Sequence, residues 1–248
     1  MNASKMTVVS SGDAFGSGGL HATCFYVEVG EVKCLMDIGV GAIAGIKGLD
    51  IQPKGIDVIV ITHFHGDHFG GLPNFLLDAT LIQKRKEKLT IVGPAGLEEK
   101  VWQLQEAMYA GTSNMNFGFP IEFKEYASGE LLSISDGFSV SAVKVVHSEP
   151  SNPHAIRLKI AEKSIVYTGD TEWVDDLVDL TPGSDLLVCE CFGWKGPIKN
   201  HLSYEEIHSK QKLLDAKKIV LTHLGPEALQ RQEEMTMTVL KPSMEIGL

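Results

Sequence analysis

Ile56-Asp57-Val58-Ile59-Val60-Ile61-Thr62 runs straight into His63-Phe64-His65-Gly66-Asp67-His68. The first half is short, apolar and β-branched, which reads as a buried strand. The second half puts three imidazoles and one carboxylate within six residues. These polar side chains therefore gather where a core strand ends. Imidazole nitrogen and carboxylate oxygen are the usual ligands of zinc and related divalent metals. Ordinary turns favour Gly, Pro, Asn, Asp and Ser, so a His-rich turn needs another explanation. A loop can aim alternate residues at one point and the following pair at a second, which leaves room for two adjacent metals.

The rest of the chain interleaves short strands with helices. Ala22 to Val29 and Val32 to Asp37 read as a hairpin around Gly30-Glu31. Leu97, Val101, Leu104 and Met108 fall at helical spacing between Pro94 and Gly111. Ser203-x-x-Glu206 is a capping-box pattern that opens a helix through Leu214. The mixture predicts α/β or α+β architecture. Val58 to His63 is echoed by Lys218 to His223, and Lys33 to Asp37 by Ile165 to Asp170. Each half thus has a strand leading to Asp and a strand leading to Thr-His. That predicts two similar halves whose strand ends converge on one cleft.

At 248 residues the chain is long enough to bury a sizeable core, and it is expected to form a single domain over 1–248. It is 44% hydrophobic and 22% charged, with a formal net charge of -10. Binding of long nucleic acid by phosphate contacts asks for a basic stripe that this balance lacks. The one dense basic cluster, Lys84-Arg85-Lys86-Glu87-Lys88, reads as a solvated helix end. No run reaches the roughly 18 apolar residues of a membrane span. The start, Met1 to Lys5, lacks the apolar stretch of a secretory signal. Cys24, Cys34, Cys189 and Cys191 show no Cys-x-x-Cys spacing, so free thiols and a cytoplasmic location are expected.

His63-x-His65-x-Asp67-His68, followed in order by His147, Asp170 and His223, resembles the metallo-β-lactamase superfamily. The resemblance covers nearly the whole chain, including the glycine-rich Gly12 to Gly19 and Leu35-x-Asp37-x-Gly39. It implies a four-layer αβ/βα sandwich with two pseudo-symmetric halves and metals at one edge. It also implies that His63, His65 and His147 bind one metal, that Asp67, His68 and His223 bind a second, and that Asp170 bridges both. Asp67 is implied as a catalytic carboxylate besides. A hydroxide shared by two cations is a nucleophile at neutral pH. His/Asp ligation suits zinc first, with manganese or iron as alternatives. Singly, the later ligands are weaker signals: Asp170 would pass as a helix cap and His223 as a strand-end turn. Asp37 is expected either to orient ligands or to shape a turn.

Leu186-Leu187-Val188-Cys189-Glu190-Cys191 is a strand with a carboxylate near its end, and Asn200-His201-Leu202-Ser203 opens the capped helix. This pair resembles the ribonuclease Z branch, where a Glu holds a His that protonates the leaving group. The resemblance therefore implies His201 as general acid and Glu190 as its partner. A carboxylate neighbour raises an imidazole pKa toward the protonated state such a step needs.

The departures narrow the substrate. Only Ser148 to Pro153 separates His147 from the next strand, which leaves no room there for the arm that clamps transfer RNA. Cys189 stands where the branch often has a His. A small phosphodiester such as a cyclic nucleotide is thus expected. The alternatives are a carboxyl-ester, lactone or thioester hydrolase on the same centre, and a non-hydrolytic metal-binding redox or regulatory protein. A homodimer is the default oligomer. Met108 to Pro120 reads as a core-packing or dimer segment, or as a loop over the cleft. Lys195 and Lys199 are either phosphate-binding cations or solvated. Gly12 to Gly19 lacks the Gly-Lys-Ser/Thr ending of a phosphate loop and reads as a turn. His21, His154 and His208 receive no role.

Overall fold

In a computed structural model describing residues 4–248, most core strands bury both faces. Met1 to Ala3, at the head of the start read above for a secretory signal, lie outside the described residues. The strand β4 (Val58–Val60) turns Val58 and Val60 to one side, and Ile59 turns to the other. The same division holds in β11 (Leu186–Glu190), with Leu186 and Val188 against Leu187 and Cys189. Strands that are apolar throughout must be covered on both sides.

The cover is a four-layer αβ/βα sandwich. One seven-stranded sheet runs β14-β1-β2-β3-β4-β5-β6, the other β13-β12-β11-β10-β9-β8-β7. The first contains β1 (Lys5–Ser10), β2 (Cys24–Val29), β3 (Val32–Met36), β5 (Leu89–Gly93), β6 (Ile121–Glu125) and the late β14 (Glu245–Gly247). The second contains β7 (Leu131–Ser135), β8 (Phe138–Lys144), β9 (His154–Ile160), β10 (Lys163–Tyr167), β12 (Ile219–Thr222) and β13 (Thr238–Val239). One apolar cluster, with Met6, Phe25, Val60, Leu158 and Tyr167, fills the space between the sheets. A second packs the first sheet against α1 (Ala42–Gly48), α3 (Leu72–Leu77) and α4 (Leu97–Met108). A third packs the other sheet against α5 (Asp176–Leu180), α6 (Tyr204–Lys210) and α7 (Pro226–Gln230). Three buried interfaces make four layers.

The first sheet read from β14 and the second read from β7 are both antiparallel across their first three pairings and parallel across the last three. The two halves expected from the sequence are therefore real. The Asp echo falls on equivalent strands, since β3 precedes Asp37 and β10 precedes Asp170. The Thr-His echo is displaced by one place: His63 follows β4, whereas His223 follows β12, and the counterpart of β4 is β11. Matching side-chain chemistry at strand ends does not fix which strand of a sheet carries it.

Other local expectations fare variously. The hairpin and the helix α4 form as predicted. At the start of α6, Ser203 Oγ accepts from the Glu206 amide at 3.3 Å, but the Glu206 carboxylate takes Lys210 instead. Only half of the capping box forms, and the α-helix ends at Lys210 with a 3₁₀ turn over Gln211–Leu213. Arg85 corrects the reading of Lys84 to Lys88 as solvated: its side chain is buried and donates to the carbonyls of Pro53, Ile56 and Lys88. A guanidinium can satisfy several carbonyls at once, and this one ties two loops together. Within Met108 to Pro120, Phe117 and Phe119 are buried and pack the core, with Phe117 beside Trp102, while the rest of the segment is half-buried or exposed. Among the described residues no helix is long and apolar enough to cross a membrane.

Candidate metal centre

Parallel β3 and β4 end at one edge of the first sheet, and β10, β11 and β12 at the facing edge of the second. In such sheets sites form beyond the carboxyl ends of strands. β8 is antiparallel to β9, which is antiparallel to β10, so β8 also ends at this edge. His147 therefore arrives beside residues far from it in sequence. The short α2 (Gly66–Phe69) carries Asp67 and His68 inward, and His68 is fully buried.

His63, His65 and His147 meet at one point. His65 Nδ1 lies 3.2 Å from His63 Nε2 and 3.0 Å from His147 Nε2. The outer nitrogens are already engaged. His147 Nδ1 donates to the Asn200 carbonyl at 2.8 Å. His63 Nδ1 meets Thr62 Oγ1 at 3.1 Å, and that hydroxyl donates to Asp37. In those tautomers the inner Nε2 atoms are lone pairs. Burial lowers the pKa of His63 well below the ordinary value, and lowers those of His65 and His147 too. Three neutral imidazoles aimed at one another satisfy a cation better than they satisfy each other.

The second group is richer in charge. Asp67, His68, Asp170 and His223 bring ligand atoms within 4.8 Å of one another. Asp67 Oδ2 is 3.2 Å from both His68 Nε2 and His223 Nε2. Asp170 reaches His68 at 3.2 Å, His223 at 3.4 Å and His147 at 3.8 Å, so it faces both groups. His68 Nε2 and Asp170 Oδ1 are buried and neither forms a hydrogen bond. Buried polar atoms seldom stay unpartnered, and a divalent cation between them would satisfy both. Burial opposes charge on His68, but Asp170, Asp67 and Asp37 outweigh it and raise its pKa well above the ordinary value. His223 is likewise opposed by burial and pushed up to about 9, chiefly by Asp170. Asp67 and Asp170 run the other way: burial favours their neutral forms, but the neighbouring imidazoles hold both below the carboxylate range. The residues present therefore fit a divalent metal.

Asp37 orients rather than ligates. One oxygen accepts from the Thr62 amide at 2.8 Å, and the other meets His68 Nδ1 at 2.6 Å. This turns His68 Nε2 to the cluster, the arrangement metal-binding histidines commonly show.

Beside the cluster stands the Glu190–His201 pair, 2.9 Å apart. Glu190 is fully buried and accepts from the Thr171 and Phe192 amides at 2.9 and 3.0 Å. Burial raises its pKa. Burial also works to lower that of His201, but the hydrogen bond and charge of Glu190 reverse the sign and raise it. With Nδ1 engaged, Nε2 is the free nitrogen, and a His201 ligand atom lies within 4.8 Å of those of His147 and Asp170. Cys189 faces the helix layer, so its difference from the His common in that branch does not touch this centre.

Some contributors carry no sequence signal as functional residues. Asn200 acts through its carbonyl, at a left-handed φ of 69° that suits Asn. Its amide donates to Glu172, two residues beyond Asp170, at 2.8 Å. Phe192 stacks on His201 with ring centroids 4.7 Å apart. His154 lies near Tyr126 and contacts Asn152, and His208 is exposed; neither reaches the cluster. Lys195 and Lys199 are exposed.

Fold and site together define a metal-dependent hydrolase of the metallo-β-lactamase superfamily, similar to ribonuclease Z. Ribonuclease Z of Pyrococcus horikoshii is 27% identical over 261 residues, covering 85% of each chain. Among solved structures, human tRNase Z, short form, has a TM-score of 0.77 at 23% identity over 98% of both chains. A diphosphatase from the PhnP family has a TM-score of 0.78 at 18% identity, over 99% of this chain and 98% of that one. The family model for Anti-Pycsar protein Apyc1 matches residues 4–244, and the chain belongs to that family.

Proposed function

We propose that this protein hydrolyses small phosphodiesters, cyclic nucleotides among them, with two divalent cations, zinc first and manganese or iron as alternatives. His63, His65 and His147 would hold one cation, and Asp67, His68 and His223 the other, with Asp170 between them. When bound, such cations lower the pKa of water and neutralise charge on phosphoryl oxygens. Asp37 and the Asn200 carbonyl hold His68 and His147 in the ligating orientation. Asp67 serves the reaction as a buried anion at the cluster.

The observation that carries the phosphodiesterase reading is the Glu190–His201 contact at 2.9 Å. Glu190 keeps His201 protonated and fixes its ring, and Nε2 gives its proton to the departing alkoxide. An ester with a good leaving group would not need that proton.

Three observations support a small substrate over a long RNA. The net charge is -10. The connection between β8 and β9 holds only a short 3₁₀ turn over Glu149–Ser151. The alignment with the Pyrococcus enzyme spans 261 positions although only 85% of this 248-residue chain takes part, so the relative carries segments that this chain lacks. The four free, buried cysteines support a cytoplasmic setting, and a two-fold homodimer is the assembly we propose with it. The deciding assay strips the protein of metal, reloads it with zinc, manganese or iron, and offers small phosphodiesters, lactones and thioesters. Metal-dependent turnover of the phosphodiesters is expected. Turnover of lactones or thioesters with none of phosphodiesters would overturn the proposal.

A further inference from the structure

The loop between β1 and β2 presents Phe15 with 78% of its surface exposed. That exposure is held in place. Asp13, 1% exposed, accepts from the Phe15 amide at 3.1 Å, the Ser17 amide at 2.9 Å and the Ser17 hydroxyl at 2.6 Å. The loop root is fixed as well, because the Ser11 carbonyl accepts from the His223 amide at 3.1 Å. Phe15 therefore stands beside the metal cluster on a braced loop.

Its ring meets Phe192 edge-on at 6.2 Å, and Phe192 stacks on His201 at 4.7 Å. Phe192 is itself clamped. A Cβ on Gly225 would lie 2.7 Å from the Phe192 carbonyl oxygen and 2.8 Å from its ring, so only glycine allows the approach. The result is an aromatic step that leads from solvent to the general acid. A buried phenylalanine would be ordinary core; this one is exposed, braced and one ring away from the reacting proton. Pre-placed aromatic faces bind flat heteroaromatic groups whatever their hydrogen-bonding edges.

We propose that Phe15 and Phe192 form a subsite that stacks the heteroaromatic base of a nucleoside phosphodiester, with Phe15 as the specificity-determining residue. The proposal rests on the phosphodiesterase reading and deepens it. Stacking places the base on the His201 side, so the ribose oxygen whose bond to phosphorus breaks departs toward His201 and takes its proton there, while the attacking water's oxygen stays on phosphorus.

The test compares a nucleoside 3′,5′-cyclic phosphate with ribose 3′,5′-cyclic phosphate lacking the base. Measurements use the metal-loaded wild type, Phe15→Ala, Phe15→Leu and Phe15→Trp. Phe15→Ala and Phe15→Leu are expected to lose roughly tenfold or more in kcat/KM on the base-bearing ester, mainly through KM. Turnover of the abasic ester should not change, and Phe15→Trp should retain the preference. Equal losses on both esters, or no loss on either, would overturn the subsite. If the wild type cleaves neither ester, the phosphodiesterase reading falls. Calorimetric binding of the nucleoside monophosphate then judges the subsite alone: weaker binding by Phe15→Ala upholds it, and equal binding overturns it.

Discussion

Two buried carboxylates hold two imidazoles at this site, and they do different work. Asp37 and His68 are both fully buried; Glu190 is equally buried, but His201 is 17% exposed. Each carboxylate takes the Nδ1 of its partner, and each is anchored within its own half of the fold, Asp37 by the amide and hydroxyl of Thr62 and Glu190 by the amides of Thr171 and Phe192. The difference lies in what Nε2 faces. That of His68 points at Asp67 and Asp170, within reach of a cation they would share. That of His201 lies at the open side of the cluster, beside Phe192. The same pair thus builds a ligand where charge is enclosed and an acid where substrate can arrive.

Changing the carboxylate in each pair should separate the two roles. Glu190→Gln keeps the shape but removes the charge that keeps His201 protonated. Steady-state kinetics on an alkyl phosphodiester should show a loss of about 10²–10⁴, the range of a general acid, with metal content unchanged by elemental analysis. Loss of metal in that variant would collapse the distinction between the pairs. Asp37→Asn should act the other way. Metal affinity should fall roughly 10–100-fold, as for other residues that orient a metal-binding histidine. Titration with a competing chelator reads that loss, and an unchanged affinity would remove Asp37 from its role.

A smaller effect concerns protons. In the metal-free protein the charge of Asp170 outweighs burial at His223, whose pKa is pushed up to about 9, so that ring is protonated at pH 7. Metal must displace that proton. Apparent affinity should therefore fall about tenfold for each pH unit below 9 per proton released. Calorimetry in buffers of different ionisation enthalpy measures the release. Binding without proton release would show that His223 is already neutral.

The metal groups were legible because their chemistry is dense: few turns place His63, His65, Asp67 and His68 after a β-branched strand. The four-layer fold followed from the resemblance those residues carried, and three apolar clusters bear it out. The offset of His223 by one strand was not legible, since local pattern does not encode order within a sheet. The Asn200 carbonyl was hidden because any residue has one, and only the left-handed turn aims it at His147. Phe15 and Phe192 gave no signal because an aromatic in sequence reads as core. Arg85 was misread for the converse reason, since a charge in sequence reads as solvated, and burial here is offset by loop carbonyls.

The most direct measurement of the central claim is the kcat of His201→Ala, relative to wild type, on two phosphodiesters that differ in the leaving group. With an alkoxide the loss should be large, about 10²–10⁴, and with nitrophenolate, which departs without a proton, it should be small. Equal losses on the two esters would contradict the assignment of His201 as the general acid.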